Sequence, residues 1–219
     1  MVKIKIFIDT PIFAIGGVET FAINLALGLN KLNFYEIFLI HSVNKKTDQD
    51  LSSNQVNRIS NQLSIIGIDE YFQVVSNSPG ICITVTSWNR VFINQINDFF
   101  IENEKLLKQN KIIGFVHNES SQYYDLVYLY EKLFDKIICV SKNAHDFILS
   151  KNLSIENKTI FRPCPTSINI IHPKLKKYSG GNKKIIISFV GRFDDVSKGV
   201  FRIPQLLKEL KKKQRRFFH

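Results

Sequence analysis

The chain has 219 residues, of which 44% are apolar and 22% are charged, which is enough for one domain of ordinary size and part of a second. This composition excludes a fibrous or wholly disordered protein. The formal net charge of +11 is uneven, because residues 1–171 carry 16 basic and 16 acidic side chains whereas residues 172–219 carry 14 and three. Such a basic segment can meet nucleic acid, anionic lipid or the phosphates of a small ligand, or it can form a solvated helix face.

The cysteines indicate a reducing compartment. Cys82, Cys139 and Cys164 are odd in number and far apart, and they form no C-x-x-C pair. Asp9 and Pro11 interrupt the apolar start of the chain, which favours a first strand over a signal peptide. No run approaches the ~18 apolar residues that a membrane span needs. We therefore predict a cytoplasmic protein, and peripheral contact with the inner face of a membrane is compatible with this.

Apolar runs alternate with helical patterns along the first 165 residues. Strands are predicted at residues 3–9, 36–41, 71–75, 81–87, 111–117, 136–141 and 159–162, and helices at residues 18–32, 91–107, 122–134 and 142–150. Ser141 is placed to cap the last of these helices. Strands that are apolar throughout and alternate with helices predict an α/β fold with a Rossmann-like parallel sheet covered on both faces.

The carboxyl ends of such strands are where ligands bind, and they fall at residues 10–17, 87–89, 117–118 and 191–199. At the first of these ends, PIFAIGGVETFAINLALGLN places the pair Gly16 and Gly17 between a strand and a helix. Glycines let the backbone approach a ligand closely, and a helix N-terminus offers N–H groups to an anion. A tight strand-to-helix turn without a ligand accounts for the same pattern, and the G-x-G-x-x-G spacing of a dinucleotide site is absent.

His117 ends a predicted central strand in the stretch GFVHN. A neutral imidazole at this position could donate a hydrogen bond to a substrate hydroxyl or pass on a proton. A structural histidine that bonds a neighbouring carbonyl is an equally good interpretation of the sequence.

The last strand end lies in ISFVGRFDDVSKGVFRIPQLLKEL, where Arg192 and Lys198 bracket an acidic loop before a helix. Two cations beside helix N–H groups suit a diphosphate, since arginine binds it as a fork and lysine as a compact charge. Ordinary surface charge is the alternative interpretation.

Taken in order, these segments resemble the glycosyltransferases of GT-B fold, family 4, which transfer a sugar from a nucleotide-sugar donor and retain its anomeric configuration. GGVETFAINLALGL is similar to the family's glycine loop and helix, FVHN to its strand-end histidine, KIICVSKNAHDFI to its strand–helix unit, and FVGRFDDVSKGV to the phosphate-binding opening of its second domain. The resemblance implies an acceptor-side Rossmann-like domain (1–165), a linker (166–182) and the incomplete start of a donor-binding domain (183–219).

The resemblance implies that four of the matched residues bind the donor. Gly16 and Gly17 would border the donor phosphate and the acceptor cleft. Arg192 and Lys198 would hold the diphosphate and stabilise the charge that develops on the leaving group.

The two other matched residues would act near the sugar. Glu19 would open the helix after the glycine loop on the acceptor side, and His117 would be the catalytic residue that contacts the transferred sugar. The family needs no bound metal or cofactor, and the remaining histidines show no metal-ligand spacing.

Two features depart from the family's pattern. The glutamate pair that reads the donor's sugar and ribose would lie past His219, and FRPCPTS replaces the usual Pro-Asn-Gly turn. We therefore expect a truncated chain that alone transfers sugar very slowly or not at all. The closing LKKKQRRFFH fits the family poorly and is consistent with translation in a shifted reading frame.

The partners implied are a nucleotide sugar and a glycan or lipid-linked acceptor. A non-catalytic sugar-binding remnant, or half of a split enzyme that pairs with a separately encoded C-terminal half, is the alternative. A specific nucleic-acid partner is not expected, because the basic segment lacks interleaved aromatic residues and the known binding modules.

Overall fold

The computed structural model describes residues 4–10, 17–41, 59–78, 80–117, 119–163 and 202–216. The chain divides into two units, Met1–Ser167 and Ile168–His219. All of the predicted linker and most of the predicted second domain lie outside the described residues, so the proposed domain limits stay a prediction.

Strands and helices alternate along the first unit. Its elements are β1 (Ile4–Thr10), α1 (Gly17–Asn30), β2 (Tyr35–His41), β3 (Ser64–Gly67), α2 (Ile68–Ser76), β4 (Cys82–Thr86), α3 (Arg90–Glu102), α4 (Glu104–Gln109), β5 (Asn110–Val116), α5 (Ser121–Leu129), β6 (Lys136–Cys139), α6 (Lys142–Lys151), a 3-10 helix (Leu153–Lys158) and β7 (Thr159–Phe161). In the second unit the described residues form one helix, α7 (Ile203–Arg216).

The seven described strands form one sheet in the order β3-β2-β1-β4-β5-β6-β7, and every neighbouring pair is parallel. This confirms the predicted α/β fold with a Rossmann-like parallel sheet. The strand order reverses beside β1, because the chain runs outwards to β3 and then returns to place β4 on the other side of β1. Such a reversal opens a crevice at the carboxyl ends of the two central strands.

Apolar side chains cover both faces of the sheet. Phe7 packs in one cluster with residues of α2, α3, α5 and α6, whereas its neighbour Ile8 packs in a second cluster with Ala22 and Ala26 of α1. Successive side chains of a strand point to opposite faces. We therefore call these the α3 face and the α1 face. Burial on both faces explains why the strands are apolar throughout rather than alternating with polar residues.

Some predicted elements differ in the structure. The predicted strand at residues 71–75 is wrong, because Tyr71 and Val75 are both buried on one side of helix α2, four residues apart. The four residues of β3, which were not predicted as a strand, form the sheet edge instead. The helix predicted at residues 91–107 is divided at Asn103 into α3 and α4.

Tyr71 joins α2 to the sheet. Its ring meets that of Phe7 edge-on at 5.0 Å between centroids, and its hydroxyl shares a hydrogen bond of 2.9 Å with Thr84 Oγ1. Both side chains are fully buried, and this burial raises the pKa of the Tyr71 hydroxyl. The hydrogen bond therefore satisfies two polar groups that water cannot reach.

We expect a strong non-additivity between Tyr71→Phe and Thr84→Val. Each single change leaves a buried oxygen without its partner and should lower the free energy of unfolding by about 1–3 kcal/mol, whereas the double variant removes both oxygens and should lose less than the sum. Urea unfolding of the four proteins of this cycle measures the coupling. Additive losses would contradict the assigned bond.

Candidate functional site

The carboxyl ends of β1, β4 and β5 lie side by side at one edge of the sheet, because these strands are adjacent and parallel. The strands end at Thr10, Thr86 and Val116, and Ser87 and His117 come directly after the last two. Three of the four strand ends predicted to bind a ligand therefore lie together here, although only Thr10 and Gly17 of the first are described. Residues 11–16 and 191–199 lie outside the described residues.

His117 lies in a mainly apolar setting at this edge. Its Nε2 shares a hydrogen bond of 3.3 Å with Ser87 Oγ. The ring of Phe21 meets the imidazole edge-on at 4.7 Å, and Phe115 stacks on it at 5.9 Å. Burial lowers the pKa of His117 to about 4. The imidazole is therefore neutral near neutral pH and can donate from one nitrogen and accept at the other.

The contact with Phe21 connects His117 to helix α1. Gly17 begins this helix and Glu19 lies in its first turn, while Gly16 lies outside the described residues. A Cβ added to Gly17 would meet no atom of the described residues within 4 Å, so their packing does not demand glycine at this position. The structure thus brings the start of α1 and the end of β5 together, and the roles predicted for Gly17 and Glu19 stay predictions.

Asp9 lies on the opposite face of the same edge. Its carboxylate is fully buried, and Thr86 Oγ1 donates a hydrogen bond of 3.2 Å to Asp9 Oδ2. Thr86 faces the same side as Thr84, which bonds Tyr71 of α2, so this pair lies on the α3 face whereas His117 lies on the α1 face. Asp9 was not predicted as a site residue, although an acid that closes an apolar strand was a usable signal.

A second polar contact lies one strand further along, at the end of β6. Ser141 Oγ accepts from the Ala144 N–H at 3.0 Å and donates to Glu119 Oε1 at 2.6 Å. The first bond confirms that Ser141 caps α6. The carboxylate of Glu119 is also favourable beside the positive end of that helix. The polar edge therefore extends from β1 to β6.

Arg192 and Lys198, the predicted diphosphate ligands, lie outside the described residues. Within the described ranges, no group of three or more His, Cys, Asp or Glu side chains could hold a metal ion, and the predicted metal independence stays a prediction. No helix in the described part of the chain is long and apolar enough to cross a membrane.

No protein-family model matches the chain, and no curated protein matches it. The solved structures that are similar to it include two complexes of alpha-glucosyltransferase. One is an alpha-glucosyltransferase in complex with UDP and a 13-mer DNA containing a HMU base, at 17% identity and a TM-score of 0.43. The other is an alpha-glucosyltransferase in complex with UDP-glucose and DNA containing an abasic site, at 18% identity and a TM-score of 0.45.

In both comparisons the similarity covers 75% of this chain and 43% of the other. The chain therefore spans less than half the length of either glucosyltransferase. With TM-scores below 0.5, this likeness carries no conclusion about the activity of the chain. Both of those structures contain DNA, whereas we predicted that this chain has no specific nucleic-acid partner. That prediction, the assignment to family 4 and the truncation all stay untested.

We expect His117 to make the stability of the protein depend on pH. The pKa of its imidazole is about 4 in the folded state and has its ordinary value of 6.5 when unfolded, so the unfolded chain binds more protons between these values. The stability that the buried neutral imidazole contributes to the folded state is fully present above about pH 6.5 and is lost as the pH falls towards 4. His117→Gln should therefore flatten the pH dependence of the free energy of unfolding over this interval.

Urea unfolding at several pH values, followed by circular dichroism, measures this dependence. His145→Gln, which removes an imidazole from α6, is the matched control. Identical slopes for the wild type and His117→Gln would show that burial does not lower the pKa of His117.

Proposed function

We propose that the chain takes part in glycosyl transfer from a nucleotide-sugar donor to an acceptor hydroxyl, with the transferred sugar held at the edge formed by the ends of β1, β4 and β5. The observation that carries the proposal is the neutral His117, held by Ser87 at a strand end beside the reversal of the strand order. The resemblance of four segments of the sequence to family 4 glycosyltransferases supports the same function.

The electrostatic state of His117 suits this chemistry. Positive charge develops on the anomeric carbon of a sugar as its bond to the diphosphate breaks. An imidazolium beside that carbon would oppose the charge, whereas a neutral imidazole can donate a hydrogen bond to a sugar hydroxyl without opposing it. The burial that lowers the pKa of His117 to about 4 keeps the ring in this neutral form.

The diphosphate leaving group requires positive charge. In the proposal, Arg192 and Lys198 bind it, and the N–H groups that follow Gly16 and Gly17 contribute to binding the donor phosphate. Glu19 lies in the first turn of α1, on the acceptor side. Retention of anomeric configuration, a glycan or lipid-linked acceptor and independence from metal belong to the proposal through the family resemblance.

The first experiment tests the donor. The full chain is titrated with UDP-, GDP- and ADP-sugars, and binding is followed by ligand-observed NMR. We expect one nucleotide sugar to bind and each of Arg192→Ala and Lys198→Ala to weaken its binding by about 10- to 100-fold, because each loses charge-assisted hydrogen bonds to phosphate. Arg202→Ala is the matched control, since Arg202 is an exposed arginine just before α7. Absence of binding across the panel would overturn the proposal.

The second experiment tests transfer. Release of the nucleoside diphosphate is measured with glycan, lipid-linked and hydroxymethylated DNA acceptors, and the anomeric configuration of any product is read by NMR. The chain alone should release the diphosphate very slowly or not at all, and His117→Ala should abolish whatever release it shows while donor binding remains within a few-fold of the wild type, because His117 acts on the transferred sugar rather than on the diphosphate. Release that is unaffected by His117→Ala would contradict the role of this residue.

A further inference from the structure

Trp88 has an unusual backbone conformation, and the residues on either side of it both make hydrogen bonds that order this edge of the sheet. Its φ is 62°, in the left-handed region that a bulky side chain rarely adopts. Ser87 before it bonds His117, and Asn89 after it caps α3 by accepting from the Val91 N–H at 3.2 Å. Such a strained conformation costs about 1–3 kcal/mol and persists only where the surrounding packing holds it.

The packing that holds Trp88 is supplied by β5. Trp88 is only 2% exposed. A Cβ added to Gly114 would lie 2.6 Å from Cζ2 and 2.9 Å from Cε2 of the indole. Real Cβ atoms do not approach this closely, so the ring occupies space that only glycine leaves free. Phe134 closes the other side of the ring at 4.4 Å between centroids. The indole is thus wedged into the strand that ends in His117.

The packing of Trp88 on Gly114 connects β4 and β5, the two strands that end at Ser87 and His117. Gly114 lies three residues before His117 on β5, and Trp88 lies one residue after Ser87 at the end of β4. Because Gly114 and Phe134 enclose the indole, its packing is what holds the left-handed turn, and this turn positions the Ser87 hydroxyl 3.3 Å from His117 Nε2. The indole Nε1 has no hydrogen-bond partner among the described residues, so packing rather than a polar contact holds the ring in place.

We propose that Trp88 is a positioning residue, which uses the space above Gly114 to hold Ser87 against His117 and so fixes the orientation of the imidazole for sugar transfer. Its use in transfer rests on the proposed function, whereas the coupling of Trp88 to His117 can be measured without any substrate. A failure of the coupling between Trp88 and His117 can therefore be distinguished from a failure of the proposed glycosyl transfer.

The test is the substitution Gly114→Ala in the full chain. Trp88 is the single tryptophan, so intrinsic fluorescence reports directly on its environment. The added methyl should displace the indole and shift its emission to longer wavelength. By displacing Ser87 it should also take the hydroxyl away from His117 Nε2, so that a hydrogen bond to the neutral imidazole is lost and the pKa of His117 rises from about 4 towards 6.5. NMR titration of the His117 Cε1–H, assigned by its loss in His117→Gln, measures this pKa.

Gly28→Ala is the matched control, because a Cβ at Gly28 of α1 meets nothing within 4 Å and both readouts should stay as in the wild type. Trp88→Phe tests the same coupling if Gly114→Ala fails to fold, and it too should raise the pKa of His117. A folded Gly114→Ala whose His117 titrates as in the wild type would overturn the proposal, whether or not the emission shifts. An equal change in Gly28→Ala would also overturn it.

Discussion

The parallel pairing of β1 with both β2 and β4 is the constraint on which the rest of the structure depends. Parallel strands bring all their carboxyl ends to one edge, and helices on both faces leave little room for polar groups along the strands themselves. Asp9, Thr86, Ser87 and His117 all lie at that edge. Their clustering therefore follows from the sheet, although none of them is close to all the others in sequence.

The environment of His117 shows how an apolar setting can favour a polar function. Phe21 and Phe115 pack on the imidazole, and its burial lowers its pKa because the charged form loses water. Phe21 belongs to α1, so the chemistry of the strand-end histidine depends on how the helix that follows the glycine loop packs on β5. Helix α1 and the histidine are therefore linked by direct packing of Phe21 on the imidazole.

Local patterns in the sequence were sufficient to predict features that depend only on neighbouring residues, such as strand ends and helix caps. The apolar runs gave the strand ends at Ser87 and His117, and Ser141 was identified as a cap from its position alone. Tyr71 and Val75 could not be assigned in this way, because aromatic and β-branched residues favour a strand while the bond from Tyr71 to Thr84 favours a helix packed on the sheet. The left-handed turn at Trp88 likewise depends on Gly114, 26 residues away in the printed sequence.

Thr86 and Ser87 are adjacent in the chain, yet they serve opposite sides of the sheet, one towards Asp9 and the other towards His117. Because successive side chains of β4 point to opposite faces of the sheet, each hydroxyl reaches a different partner. An insertion of one residue earlier in this strand would place Thr86 beside the imidazole and Val85 beside the carboxylate, whereas a deletion would place Ser87 beside the carboxylate and Trp88 beside the imidazole. Either change would remove one of the two hydrogen bonds, so the polar contacts at this edge depend on the length of β4.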